Sequence, residues 1–506
     1  MRVLIDTNIF IELEGSNILD RGYSSLLRVL EKAHAQILIH PASLDDLRRD
    51  RDSDRRARNL SRVHKYTELL RPPDCAADFA AAGINCLTPN DKADCEILCA
   101  VYKDAVNFLV TEDNGIHRKA KALGIGARVF FVAQALSSFS ATFSDEPIKL
   151  PNIQQVFVYE IKDYLADTFF DSIRTNYPGF DTWFVGTCCR EGREAWIARD
   201  ATGALAAICI FKNQEPEPLT DEGRALPGPA LKLCPLKVGP SIQGQKIGEL
   251  FLKAAFKYAR QTGAENILLT VKNGQQPHLE SLLSDFGFEI FGTLKDELVM
   301  VKRHPVMPPL HQNLDPLQYN KAFWPHMIAD TTVRKFIVPI QPQFHRQLFP
   351  DWVQDTQQLR LQFPASSGAL TTQNLGNALK LAYLCHSKIS KISAGDILFF
   401  YRSNDFQELT TIGIVETVVR LSNAEEILKR VLKRTVYSAT EIDEMADKET
   451  LVLLFRLGLH LPNAVTRKFL VANGVKGNIQ TIREIEHSLF QNIAHEGAIE
   501  DCLLTN

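Results

Sequence analysis

Short apolar runs alternating with amphipathic stretches dominate the first 140 residues. Residues 1–5, 35–40 and 106–110 read as buried strands, and each runs into a polar turn followed by a helix-compatible segment. The middle of the chain changes character. Residues 153–173 read as a strand followed by a helix, 183–186 as strand-like, and 194–199 with 204–211 as a hairpin. A charged, proline-rich stretch at 214–229 reads as a mobile loop. It precedes a strand at 230–238, a turn at 239–248, a helix over 249–262 and a strand at 267–271. Polar and proline-rich breaks at 144–152 and 304–309 read as linkers. Beyond the second, the pattern predicts a strand at 335–340, a helix at 378–385, strands at 392–403 and 411–419, and amphipathic helices at 424–432 and 482–493.

Acids collect where the N-terminal strands end and the helices begin. Asp6 and Asp113 close strands, while Asp46, Asp91 and Asp94 open helices. In an open α/β sheet, ligands bind outside the carboxyl ends of the strands. Any one of these acids is equally an ordinary helix cap. Gathered together they repel, and burial raises the cost, so a cluster calls for a cation. Oxygen ligands select Mg²⁺ or Mn²⁺, and such a metal can activate water against a phosphodiester.

With Leu4-Ile5-Asp6-Thr7-Asn8 at the start, Asp94 within a helix and Thr111-Glu112-Asp113 after a strand, residues 1–143 resemble a PIN domain. The resemblance implies a parallel α/β sheet and a metal-dependent ribonuclease, of the kind found among toxin nucleases. It implies Asp6, Asp46, Asp94 and Asp113 as catalytic acids and metal ligands, with Asp91 and Asn8 as auxiliary partners. Asp46 stands where the family usually has Glu. Transfer RNA or messenger RNA is the implied substrate, with an antitoxin or a second copy of the domain as expected partners. Arg55, Arg58 and Arg62 follow on a helical stretch interleaved with acids, which reads equally as a salt-bridged face or as a phosphate-contacting patch.

A strand, a turn containing glycines and a helix start make an anion cradle, because free N–H groups and the helix dipole converge there. The segment Val238-Gly239-Pro240-Ser241-Ile242-Gln243-Gly244-Gln245-Lys246-Ile247-Gly248 has this form. It resembles the pyrophosphate turn of GNAT acetyltransferases, implying a GNAT α+β fold over 152–303. Val238, Gln243, Gly244, Lys246, Ile247 and Gly248 would then hold acetyl-CoA. Lys246 replaces the turn's middle glycine, where φ is often unusual. Leu283 occupies the position of the tyrosine acid common in the family, so proton transfer would fall to His278, to water or to a different tyrosine. A protein acetyl acceptor is among the implied partners.

Residues 330–506 resemble PUA-like β-barrels of the ASCH and EVE kind, with flanking C-terminal helices. The resemblance rests on Ala394-Gly395-Asp396, the strand that follows, and Ile412-Gly413-Ile414-Val415-Glu416. It implies RNA reading, with Tyr401 and Arg402 stacking a base and meeting phosphate.

Composition narrows this picture little. The chain has 506 residues and a formal net charge of −3, so three domains are natural and any RNA contact must be local. Ten cysteines without a CxxC pair suggest reduced thiols, and the absence of a leader or a long apolar span suggests a cytoplasmic protein without membrane segments. The leading expectation is an α/β multidomain RNA-acting enzyme, with nuclease, acyltransferase and RNA-reading parts. Acetyltransferase action as the main activity, with flanking binding modules, is one alternative. A non-catalytic regulator that senses acyl-CoA is another.

Overall fold

The computed structural model describes residues 1–14, 21–50, 52–84, 86, 88–143, 152–200, 202–242, 245–272, 276–307, 314–352 and 378–505. The chain forms two compact units. The first is mainly Met1–Ile148 with Arg420–Thr450, and the second is mainly Lys149–Ile242, Lys246–Val419 and Leu451–Asn506.

In the first unit, β1 (Arg2–Ile5), β2 (Gln36–Ile39), β3 (Thr67–Glu68), β4 (Phe108–Val110) and β5 (Val129–Phe130) make an all-parallel sheet ordered β3-β2-β1-β4-β5. Its central strands are apolar throughout because helices cover both faces. Val3, Leu4, Ile5, Leu109 and Val110 are fully buried. The helices are α1 (Thr7–Glu14), α2 (Arg21–Lys32), α3 (Pro41–Arg48), α4 (Ser53–Arg62), α5 (Ala76–Ala81), α6 (Pro89–Tyr102), α7 (Asn114–Ala122) and α8 (Val132–Phe143). The strand order reverses at β1, so the carboxyl ends of β1 and β4 flank a switch point, where such sheets bind ligands.

Two short helices from late in the chain belong to this unit. Ala424–Val431 and Ala439–Ala446 bury Ile427, Val431 and Ile442 completely. The Lys429 ammonium lies 3.0 Å from Asp104, and Lys433 donates to the carbonyls of Gly126 and Val129. Residues 420–450 thus stand apart from the C-terminal segment 330–506 to which the sequence pattern assigns them.

The second unit holds two sheets. The first is mixed and ordered β11-β12-β10-β9-β8-β7-β6. Its strands are β6 (Gln154–Phe157), β7 (Glu194–Arg199), β8 (Leu205–Gln214), β9 (Ala230–Val238), β10 (Asn266–Lys272), β11 (Glu289–Leu294) and β12 (Glu297–Arg303). Residues 183–186, expected as a strand, instead join helical turns at Phe180–Trp183 and Phe184–Cys189. The aromatic side chains that suggested a strand pack from a helix, with Phe180 and Phe184 buried in one cluster. The loop between β8 and β9 is packed against the β11–β12 hairpin. Leu219 and Leu226 are buried, and the Asp221 amide donates to Thr293 O at 2.9 Å. Gly292 permits this approach, since a Cβ there would sit 2.6 Å from Thr220 Cγ2.

The remaining strands are β13 (Met327–Ile328), β14 (Lys335–Ile340), β15 (Lys380–Cys385), β16 (Ile397–Arg402), β17 (Glu408–Leu421), β18 (Thr450–Thr466), β19 (Arg483–Ile485) and β20 (Leu504–Thr505). Six of them form a sheet ordered β15-β18-β17-β16-β14-β19, and β13 pairs with β20. The expected barrel is not closed among the described residues: the order is linear, ending at β15 and β19. Residues 380–385 form a strand rather than the expected helix. The run is buried against β18, and an apolar stretch this short has no period that separates strand from helix.

The two sheets of this unit share a packed body. Lys253, on the helix Ile247–Thr262, is fully buried with Nζ 2.9 Å from Asp351. Burial pushes the lysine down to about 8, while Asp351 opposes that shift. Burial opposes ionisation of Asp351 as well, yet Lys253 and His460 hold it well below the usual carboxylate range. The buried Lys302 ammonium donates to the carbonyls of Lys321 and Ala322, at the end of the helix Pro316–Phe323.

The expectation of reduced thiols needs correction. Cys75 pairs with Cys99 and Cys86 with Cys95 in disulfides. Cys95 and Cys99 lie one turn apart on α6 and face the segments that cross it, a proximity that spacing along the chain does not reveal. No helix among the described residues is long and apolar enough to cross a membrane.

Candidate functional site

The mixed sheet opens into a wedge at its centre. β9 and β10 run parallel but pair only across Ala230–Leu268, with Asn266, Ile267 and Leu268 opposite Ala230, Leu231 and Lys232. Beyond that point β9 stays on β8 as far as Val238, and β10 stays on β12 as far as Lys272. Among the described residues, β9 and β10 therefore have no mutual ladder beyond Lys232 and Leu268, and backbone groups along such edges require partners.

The helix Ile247–Thr262 starts just beyond the end of β9. It is driven by an apolar stripe of Ile247, Leu250, Phe251, Ala254, Ala255 and Ala259, and it stops at Gly263 with φ +71°. Its N-cap is Lys246, in the left-handed region at φ 59°, and the Lys246 side chain makes no capping hydrogen bond to the first turn. The unusual φ expected at the turn's middle position is present, carried by a lysine. Ile247 is buried, so what it can offer a ligand is backbone. Gly248 lets a neighbouring helix approach, since a Cβ would meet Leu282 Cδ2 at 2.8 Å. Gln243 and Gly244 lie outside the described residues. A helix start whose N-cap side chain makes no capping hydrogen bond, beside two strands that part, suits an extended amide chain ending in pyrophosphate. Val238, Lys246, Ile247 and Gly248 are the described residues that would hold acetyl-CoA, which would supply an activated acyl group.

Leu283 is fully buried and carries no proton to give. The side chain of His278 lies outside the described residues. A different tyrosine is present near the wedge. Tyr177 donates its hydroxyl to Glu297 of β12, while Lys272 Nζ lies 5.1 Å from the Tyr177 ring centre and donates to Asn176 O at 3.2 Å. Burial first, and then Glu297, raise the Tyr177 hydroxyl well above its ordinary value. Sequence reasoning missed Tyr177 and Glu297 because they lie 120 residues apart, in segments without a shared motif.

At the parallel sheet, the acids expected together are brought partly together. Asp6 ends β1 and is 5% exposed. Its oxygens accept from the Thr7 amide at 2.7 Å, Asn8 Nδ2 at 2.9 Å and Thr111 Oγ1 at 2.5 Å. Burial raises Asp6 to about 6; the bonds from Thr111 and Thr7 oppose the shift, and the charges of Asp94 and Asp113 add to it. Asp94 is raised by burial and then by Asp113. A Cβ placed on Gly115 would lie 2.9 Å from Asp113 Oδ1 and 3.9 Å from Asp94 Oδ2, which puts the two carboxylates side by side.

The other expected metal ligands are otherwise engaged. Asp91 closes a capping box with Thr88 at the start of α6, and its carboxylate is held low by that bond first and Lys119 next. Lys119 Nζ stands 3.2 Å from both Asp91 and Asp94. Asp46 pairs with Arg49 at 2.5 Å, and burial raises it against that attraction. Among the described residues, no group of three or more His, Cys, Asp or Glu side chains is arranged to hold a metal ion. Of the five expected ligands, Asp94 and Asp113 add their charges to the shift of Asp6, Lys119 partners both Asp94 and Asp91, and Arg49 partners Asp46.

The expected RNA contacts are largely spoken for. Arg55 pairs with Asp50, and Arg62 donates to the Glu14 carbonyl. The Arg58 side chain lies outside the described residues. Tyr401 is 3% exposed in the core of the C-terminal sheet, so its ring is closed to a base. Arg402 is buried, paired with Asp405 and set against the Phe406 ring. Strand alternation places residue 401 inward, and the sequence pattern alone leaves that facing open.

No curated protein sequence matches the chain. Solved structures similar to parts of it include ASCH from Zymomonas mobilis, at 8% identity and TM-score 0.24, covering 32% of this chain and 94% of that one. Aminoglycoside 6'-acetyltransferase type Ii has 19% identity and TM-score 0.24, covering 31% and 98%. The IAA acetyltransferase from Bacillus cereus ATCC 14579 has 13% identity and TM-score 0.22, covering 30% and 99%. Residues 158–288 match the family described as acetyltransferase (GNAT), and the chain carries a GNAT acetyltransferase domain over that segment.

Proposed function

We propose that the protein is an acyl-CoA-dependent N-acyltransferase whose flanking parts bind the acceptor or a partner. The observation that carries this reading is the wedge between β9 and β10, opening beside a helix start whose N-cap side chain makes no capping hydrogen bond. The GNAT match over 158–288 supports it. Acetyl-CoA is the expected donor, with its pyrophosphate on the backbone of Lys246 to Gly248. The test is calorimetry of the full chain with acetyl-CoA. Wild type binds and Gly248→Trp, whose ring would fill the turn, binds at least tenfold more weakly. No binding by wild type would sink the proposal.

A second reading keeps the parallel sheet as a metal-dependent ribonuclease. The mutual electrostatic strain of Asp6, Asp94 and Asp113 at the switch point supports it, because a divalent cation would relieve that strain. The Lys119 ammonium against Asp94 weighs on the other side. Cleavage of total RNA in Mn²⁺ by wild type but not by Asp94→Asn is the expected result. Equal activity in both proteins, or none in either, removes the nuclease.

A further inference from the structure

The face of the mixed sheet beneath Tyr177 is lined by charge. Strand alternation on β9 puts Ala230, Lys232 and Cys234 on one side. The register carries that side to Lys212 on β8 and to Leu268 on β10, and along β10 and β12 to Lys272 and Glu297. The loop after β8 closes one end, where Leu219 and Leu226 pack on Ala230, Leu268, Val299 and Val301. Asn176 and Tyr177 cover the other end.

Lys212 and Lys232 are directly opposite each other on antiparallel strands, and both are half-buried. Like charges in that position destabilise a sheet. Among the described residues neither lysine has an acid in ion-pair range. Nearby, Arg193 is already paired with Glu191, and Glu297 is held by Tyr177. The thiol of Cys234 senses the same surroundings. Burial raises it most, Lys232, Arg193 and Lys212 pull it down, and Glu297 pushes it up. The face thus presents one carboxylate on β12 and an uncompensated pair of ammonium groups on β8 and β9, about 13 Å away along the strand direction.

We propose that the acyl acceptor is an amine that carries its own anionic group, with Glu297 holding the ammonium and Lys212 with Lys232 holding the anion. This rests on the acyltransferase reading and names its substrate class. A neutral or purely cationic amine would leave the lysine pair unrelieved. A phosphate or carboxylate between the two lysines would remove their repulsion through charge-assisted bonds.

The test uses the full chain, without acyl-CoA, and calorimetry with three probes: O-phosphoethanolamine, ethanolamine and inorganic phosphate. A fourth probe, β-alanine, separates carboxylate from phosphate as the preferred anion. Wild type is expected to bind O-phosphoethanolamine or β-alanine at least tenfold more tightly than ethanolamine, with affinity falling as salt rises. Lys232→Met abolishes that preference, and Glu297→Gln weakens the amine-bearing probes while leaving phosphate unchanged. Circular dichroism of each variant checks that it folds. Equal affinity for ethanolamine and the anionic amines, no binding of any anionic amine, or a preference that survives Lys232→Met overturns the proposal. Acetyl-CoA binding is measured separately, so loss of the acyltransferase reading and loss of this one are told apart.

Discussion

Asp6 is the residue where sequence and surroundings meet most sharply. Its raised value, about 6 against 3.8 for an exposed carboxylate, means that the folded protein binds its proton more tightly than the unfolded chain does. Between about pH 4 and 6 the folded state therefore holds more protons, and stability falls as pH rises through that window. A shift of this size corresponds to roughly 3 kcal/mol, from about 1.4 kcal/mol per unit. The expected outcome is that Asp6→Asn, which has no charge to bury, gains on wild type in thermal stability from pH 4 to pH 7. A stability difference that stays flat across that range would show that Asp6 is not strained. The acid itself was legible as a strand-end carboxylate. The charges of Asp94 and Asp113, also read from the sequence, add to its shift. What remained hidden was the pairing of Asp91 with Thr88, of Asp46 with Arg49 and of Lys119 with Asp94. The first two are local pairs three residues apart, whereas Lys119 and Asp94 stand on separate helices and meet only once those helices pack.

At the scale of elements, strongly periodic segments were readable from the chain. The hairpin β7–β8, the strand β9 and the helix Ile247–Thr262 all occur within a few residues of where the pattern puts them. β14 occurs over the very residues expected. Failures fall where period is uninformative. Residues 381–385 are a short, mostly apolar run and become a strand because β18 lies beside them. Residues 183–186 are aromatic enough for a strand, yet their rings cluster with Phe170 and Phe180 from neighbouring turns. The stretch 214–229 has the composition of a solvent loop, but Thr220 finds the one position on β11 that lacks a Cβ. Tertiary contact overrides local propensity in each case.

On the scale of the whole molecule, domain order along the chain and packing in space diverge. Residues 420–450 leave the C-terminal sheet between β17 and β18 and complete the N-terminal unit. Ile427, Val431 and Ile442 are each fully buried there, worth roughly 1.5–3 kcal/mol apiece if lost to solvent. Replacing 422–448 with a short Gly-Ser linker in the full chain should speed amide hydrogen exchange at 104–107 and 126–130, which these helices cover. Unchanged exchange would mean that the helices are decoration. In the second unit, Lys253 pairs with Asp351, which also meets His460 of β18, and Lys302 of β12 donates to two carbonyls at the end of the helix Pro316–Phe323. A buried lysine that loses its partner is costly, so the two sheets are expected to unfold together.

The amino-acid sequence by itself determined the strands and helices with clear periods, the acids at the N-terminal sheet edge, and the turn that begins the helix Ile247–Thr262. Those are local properties, written into neighbouring residues. Only the tertiary structure decided that β9 and β10 part company after three paired residues, that Tyr177 reaches Glu297, and that Lys212 faces Lys232. It also decided that Cys95 and Cys99 find partners and that residues 420–450 complete another unit. Each of these joins residues distant along the chain. Their proximity comes from sheet register and helix packing, which no local pattern encodes.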